Sequence, residues 1–192
     1  MTLHVAAFDQ LSAATLYGLL RLRMQVFIVE QRCPYQDLDG RDTEPGTRHV
    51  WLDDDGSPQA YLRILAEPDG ADRISRVCVA PAARGTGLAR RLMRDALNLT
   101  GPGGVVLDAQ SYLADFYKRL GFVATGPEFV EDDIPHVPMR RAAAADAASA
   151  EADAASAEAD AASAEADGAG FGGGPALTAA RPPVPRPTGA DR

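Results

Sequence analysis

The chain has 192 residues, with 19 basic against 27 acidic side chains and a net charge of −8. That length suits one domain with an appendage, and the acidic balance argues against a nucleic-acid partner, which needs a surplus of Lys and Arg on one face. No run of 18 apolar residues and no signal-peptide pattern is present, so no membrane partner is expected and the cytoplasm is the expected location.

Composition divides the chain at residue 141. Residues 142–192 hold eight acidic residues, three arginines and one aromatic, Phe171, in a background of Ala, Gly, Pro, Ser and Thr that cannot build a core. Asp146 opens three copies of DAASAEA, closed by Asp167. Their heptad spacing offers only Ala or polar side chains as knobs, so a solvated, partly helical repeat is expected rather than a coiled coil. The Gly/Pro-rich end, with RPPVPRP from Arg181, has the composition of a disordered tail. The folded unit is therefore expected at residues 1–141, with a net charge of −3. Its two cysteines, Cys33 and Cys78, lack CxxC spacing or a His cluster, so neither a disulfide framework nor a metal site is indicated.

Residues 3–8 alternate weakly and predict an edge strand. Ser12 can cap a helix in which Leu16, Leu20, Met24 and Phe27 share one face. The loop RCPYQDLDGRD follows, where Pro34, Gly40 and five charged residues forbid regular structure. Residues 49–52 and 59–65 predict a hairpin joined by the turn DDDGSP. Residues 74–79 form the next strand, broken by Pro81. RGTGLA, from Arg84 to Ala89, leads into a helix through Leu99 with Leu88, Leu92, Met93, Ala96 and Leu97 on its apolar face, stopped by Gly101 and Pro102. A buried strand at 104–108, a short helix at 112–120 and strands at 122–125 and 136–140 complete the core. The order β, α, β, β, β, α, β, α, β, β mixes hairpins with crossover helices. It predicts an α/β (α+β) fold, a mixed sheet covered by helices.

A strand, a Gly-rich turn and a helix N-terminus together make an anion site, because unpaired amides and the helix dipole point at one spot. Arg84, Gly85, Thr86, Gly87, Leu88 and Ala89 fit that description, and Gly85 and Gly87 allow the backbone to wrap closely round a pyrophosphate. The alternative is an ordinary tight connection. No GK[ST] follows, and Arg90 stands at the third glycine position of a dinucleotide fingerprint, so neither of those phosphate loops is present.

The surroundings favour the anion site. Arg84, Gly87 and Ala89 follow the strand RISRVCVAP in the spacing of the pyrophosphate loop of the GCN5-related N-acetyltransferases (GNAT). FYKRLGF, from Phe116, resembles that family's terminal signature. VFIVEQRCPYQDLDGRD, the RHV at Arg48 and EDDIPHVPMRR resemble its ElaA-like subgroup. The subgroup usually shows Gly where this chain has Asp133.

The resemblance implies a mostly antiparallel sheet flanked by helices, acetyl-CoA as co-substrate without a metal, and direct acetyl transfer to an amine. It implies that Val77, Cys78 and Val79 offer backbone groups to the pantetheine where the sheet splays, and that residues 84–89 cradle the pyrophosphate. Arg90 or Arg91 would then reach the remaining phosphate charge, or both form a solvated helix face. Tyr117 matches the family tyrosine near the CoA sulfur, where a phenol can protonate the departing thiolate; otherwise it is an amphipathic core residue. Glu30 is the first candidate base, with His49, Glu131 and His136 as others, and Gln110 either binds substrate or caps the next helix. Two alternatives stand beside this reading: a non-catalytic acyl-CoA sensor, or an acyltransferase with a larger donor, as in acylhomoserine-lactone synthases. Oligomeric state is open, a homodimer being one arrangement. Deleting residues 142–192 should leave the melting transition and CoA binding intact, and a lost transition would refute the boundary at 141.

Overall fold

The computed structural model describes residues 1–143; the heptapeptide repeat and the Pro-rich end lie outside the described residues. Strands β1 (Thr2–Ala6), β2 (Arg48–Asp54), β3 (Ser57–Ala66) and β4 (Asp72–Val79) form an antiparallel arm. Strands β5 (Val105–Gln110), β6 (Val123–Ala124), β7 (Phe129–Glu131) and β8 (Ile134–Arg141) form a second, with β8 pairing all three others. The arms join where β4 and β5 run parallel, through just two residue pairs, Asp72 with Val105 and Arg73 with Val106. The expected mixed, mostly antiparallel sheet is what the chain builds.

Helix α1 (Ala13–Arg23) covers one face of the sheet, while α2 (Leu88–Leu97) and the short α3 (Ala114–Lys118) cover the other. Alternation along β2 and β3 feeds both sides. Val50, Leu52, Leu62 and Ile64 pack with Leu88, Leu92, Met93 and Ala96, whereas Trp51 and Tyr61 pack with Leu19, Leu22 and Val26. The 3.6-residue pattern of α2 is thus realised as expected. The hairpin between β2 and β3 turns through Asp55 and Gly56, both at positive φ, which suits the twist of the flanking strands.

Several expectations change. The first strand ends at Ala6, and Phe8–Gln10 is a 3-10 turn. Ser12 does cap α1, its hydroxyl accepting from the Thr15 amide at 3.0 Å. The inward face, however, is Leu19, Leu22, Arg23 and Val26, and Met24 is exposed. Two stripes of i, i+3, i+4 spacing compete in this leucine-rich segment, and the one carrying an arginine wins because acids elsewhere receive it. Beyond Arg23 the helix widens into a π-helical turn, Met24–Glu30, with the Gln31 amide reaching the Val26 carbonyl. The helix expected at 112–120 is a 3-10 turn, Ser111–Leu113, followed by α3. Strand β7 carries no alternation that the sequence reading detected. Asp133 adopts φ 62, a left-handed conformation that Asp tolerates better than most residues, so the hairpin closes without the glycine.

The charged loop after α1 is irregular, apart from a 3-10 turn at Arg41–Thr43, but it folds inward. The fully buried Arg23 donates from Nε to Asp37 at 2.9 Å, from Nη1 to Asp42 at 2.8 Å and from Nη2 to the Asp37 carbonyl at 2.9 Å. Arg63 on β3, equally buried, grips Asp39 with two 2.7 Å bonds and shares Asp42 at 3.1 Å. Burial alone would raise the Asp39 carboxyl, but the bonds and charge of Arg63 outweigh it and hold it at about 2. That value lies below the unfolded one, so this stabilisation is complete above pH about 4 and disappears as pH falls through about 2. Removing a shared buried carboxylate leaves cations underpaired, so Asp42→Ala should cost about 3 kcal/mol, read from the urea midpoint.

Candidate active site

Beyond Arg73 the two arms diverge, and β4 from Ile74 onward has no pairing with β5. A β-bulge helps to turn β4 away. Tyr61 pairs with Cys78 and Arg63 with Ser75, so Leu62 alone faces both Arg76 and Val77. The wedge between the arms opens into a cavity of about 910 Å³, at the upper end of the range for small-molecule sites. Nearly all the residues singled out from the sequence line it: Glu30, Val77, Cys78, Val79, Arg84, Gly85, Gly87, Leu88, Ala89 and Tyr117. Thr86 does not. Its hydroxyl donates to the Ala83 carbonyl at 2.7 Å and closes the turn from outside.

The Gly-rich turn has a geometry that only glycine adopts cheaply. Gly85 and Gly87 sit at φ 75 and 83, and a Cβ on either would project into open space. Gly87 caps α2, and the Arg91 amide is bonded to its carbonyl at 3.0 Å, so the amides of Leu88, Ala89 and Arg90 belong to the first helical turn, which lacks intrahelical acceptors. Of the two arginines in question, Arg90 lines the cavity, whereas Arg91 faces Asp95 and the Met1 carbonyl.

Tyr117 is buried on α3 between Phe116 and Phe122, with ring centroids 5.1 and 5.9 Å away in edge contacts. Burial pushes its phenol up, so it keeps its proton through the neutral range. Next to it, Lys118 is exposed and paired with Asp115 at 3.0 Å. Cys78 is also deeply buried, and its thiol is pushed up to about 12, which leaves it an inert core residue.

Glu30 stands at the end of the π-helical turn with both carboxylate oxygens on Arg84, at 2.6 and 2.8 Å. The Arg84 hydrogen bonds lower its proton affinity. His49 lies outside the cavity, fully buried. Its Nε2 donates to the Asp42 carbonyl at 3.1 Å, which leaves Nδ1 to accept from the Tyr61 hydroxyl at 2.8 Å, so it has no lone pair to offer a substrate. His136 is different. Its Nδ1 must donate to the Ile134 carbonyl at 2.8 Å, so Nε2 carries a lone pair, and the ring lines the cavity stacked on Phe129. Glu131 lines the same wall.

Some cavity residues were invisible to motif reading. Asp39, Arg63 and Tyr35 reach the wall from the charged loop and β3. Gln31 and Gln110 exchange amide hydrogen bonds at 3.2 and 3.3 Å across the wedge, and Tyr112 donates to the Gln110 oxygen at 2.6 Å. Cys33 donates to the Asp132 carbonyl at 3.3 Å. Residues 30–33 thus touch Arg84, Gln110 and the β7–β8 turn in succession. Only the unusual VFIVEQRC run could have signalled this.

The comparisons with known proteins agree with this geometry. Residues 12–143 match the family model described as an Acetyltransferase (GNAT) domain. The chain belongs to the GNAT family. It is 48% identical to the UPF0039 protein Rv2851c of Mycobacterium tuberculosis over 135 residues, covering 68% of this chain and 86% of that protein. It is 41% identical to the protein ElaA of Escherichia coli over 141 residues, covering 69% and 91% respectively, which places it in the ElaA-like subgroup of GNAT proteins. A crystal structure of an acyl-CoA N-acyltransferase from Pseudomonas aeruginosa is 43% identical, with a TM-score of 0.69, covering 73% of this chain and 99% of that one. The GNAT fold is therefore common ground with these relatives. Gly87→Glu puts a strained side chain and a negative charge into the amide cradle. It should abolish acetyl-CoA binding in isothermal titration while the thermal transition persists.

Proposed function

We propose that this GNAT protein transfers an acetyl group from acetyl-CoA directly to a primary amine of a small molecule or a protein. The observation that carries the reading is the unpaired β4 edge at residues 77–79 facing a cavity that also holds the amides of the Gly-rich turn. A pantetheine arm is a chain of amides and takes ladder bonds from such an edge. A pyrophosphate suits the turn at residues 84–89, with Arg90 beside it.

The chemistry follows from three proton-handling needs. The amine nitrogen attacks the thioester carbon, the C–N bond forms and the C–S bond breaks. Tyr117, kept neutral by burial, donates its proton to the departing sulfur. The amine proton goes to the Nε2 of His136, and bulk water later restores both groups. Glu30 is better suited to hold Arg84 beside the pyrophosphate turn than to accept a proton, because Arg84 already stabilises its carboxylate. Asp39, Glu67 and Asp108 are likewise committed to arginines.

The acetyl donor accords with the family description, and the P. aeruginosa relative is described more broadly as an acyl-CoA N-acyltransferase. Tyr117→Phe should lower kcat by about 10² while the acetyl-CoA Kd stays within about twofold, and His136→Gln should do likewise. An unchanged kcat in Tyr117→Phe would refute its role. Tight binding with no turnover on any amine would favour an acyl-CoA sensor.

A further inference from the structure

Arg76 occupies a position where its residue type is costly. It is the first of the two residues opposite Leu62 in the β4 bulge, and its φ is 56. Bulges with a left-handed first residue are ordinarily built with glycine, since a Cβ there crowds the following carbonyl. An arginine persists in such a place only when its surroundings over-determine it.

They do so here through the side chain. Nε lies 2.8 Å from Asp37 Oδ1, while Nη2 donates to the Asp37 carbonyl and to Asp39 Oδ2, each at 3.2 Å. The guanidinium sits over the Tyr35 ring, 5.2 Å from its centroid, and the Tyr35 hydroxyl donates to Asp37 Oδ1 at 2.7 Å. Asp37 is itself gripped by the buried Arg23. The far end of Arg76 is thus tied to the charged loop and, through Asp37, to α1, while its backbone forms the bulge from which residues 77–79 run along the cavity wall.

We infer that Arg76 is a positioning residue, whose loop-bound guanidinium holds the β4 bulge and thereby fixes the direction in which the backbone of residues 77–79 meets the acyl donor. This rests on the function proposed above, and the bulge can also be read without it. Arg76→Gly removes the tether but accepts the backbone angle, so the fold should persist. Arg76→Lys keeps an ammonium for Asp37 and Asp39.

The experiment measures steady-state kinetics with acetyl-CoA and an accepted amine, together with hydrogen–deuterium exchange of a peptide spanning residues 74–80 in the ligand-free protein. In Arg76→Gly, kcat should fall roughly tenfold or more with a smaller change in donor KM, because the pyrophosphate turn is untouched. Exchange in the peptide should rise about tenfold without loss of the cooperative melt, and Arg76→Lys should recover most of both. Wild-type kcat and exchange in Arg76→Gly would overturn the inference. So would a fall in kcat that Arg76→Lys fails to lessen. If the wild type turns over no amine, the proposed function fails, and the exchange comparison alone still decides whether Arg76 holds the bulge.

Discussion

The arrangement depends on how little of β4 and β5 is joined. Two residue pairs of parallel ladder, Asp72–Val105 and Arg73–Val106, keep the sheet continuous. Everything beyond them is divergence, and divergence creates the site. A strand edge inside a domain ordinarily needs a partner strand, because its amides and carbonyls cannot stay unpaired away from water. Here the stretch of β4 that β5 leaves unpaired faces a cavity instead, so its hydrogen-bonding groups border open space rather than a neighbouring strand. The same divergence lets Tyr117 on α3 and the Gly-rich turn before α2 open onto a common space, although 30 residues separate them in sequence.

A second constraint stands behind the first. Three arginines, Arg23, Arg63 and Arg76, and three aspartates, Asp37, Asp39 and Asp42, interlock beneath the charged loop. Four of these six charges are buried, and burying them yields little net stability over an apolar core of the same volume. What the network does is remove alternatives. Each guanidinium has fixed directions for its donors, so helix, loop, β3 and the bulged β4 have one mutual arrangement that satisfies all of them.

Legibility in the sequence followed the range of the interactions. The α2 face, the capping Ser12, the β2–β3 hairpin and the Gly-rich turn are local patterns of three to seven residues, and each could be read directly. The FYKRLGF segment could be recognised through its resemblance to GNAT relatives, although its helix proved shorter than periodicity suggested. What could not be read was pairing across distance. Arg23 had no place on the expected apolar face because its acids lie 14 and 19 positions away. Glu30 looked like a free carboxylate because Arg84 is 54 residues distant. His136 became distinguishable from His49 only when the structure gave both ring nitrogens of His49 a partner and His136 one on Nδ1 alone.

Lys118 is the sole lysine of the chain, and apart from three histidines every other basic side chain is an arginine. A guanidinium stays protonated and offers no nucleophilic nitrogen at physiological pH, while an ε-amine in equilibrium with its neutral form does. Thioesters acylate exposed lysines without assistance. A GNAT protein that carries its positive charge almost wholly as arginine therefore has few side-chain amines that an acyl-CoA could modify, and its one lysine pairs with Asp115. The same preference that supplies guanidiniums to the network leaves few side-chain amine nucleophiles on the chain.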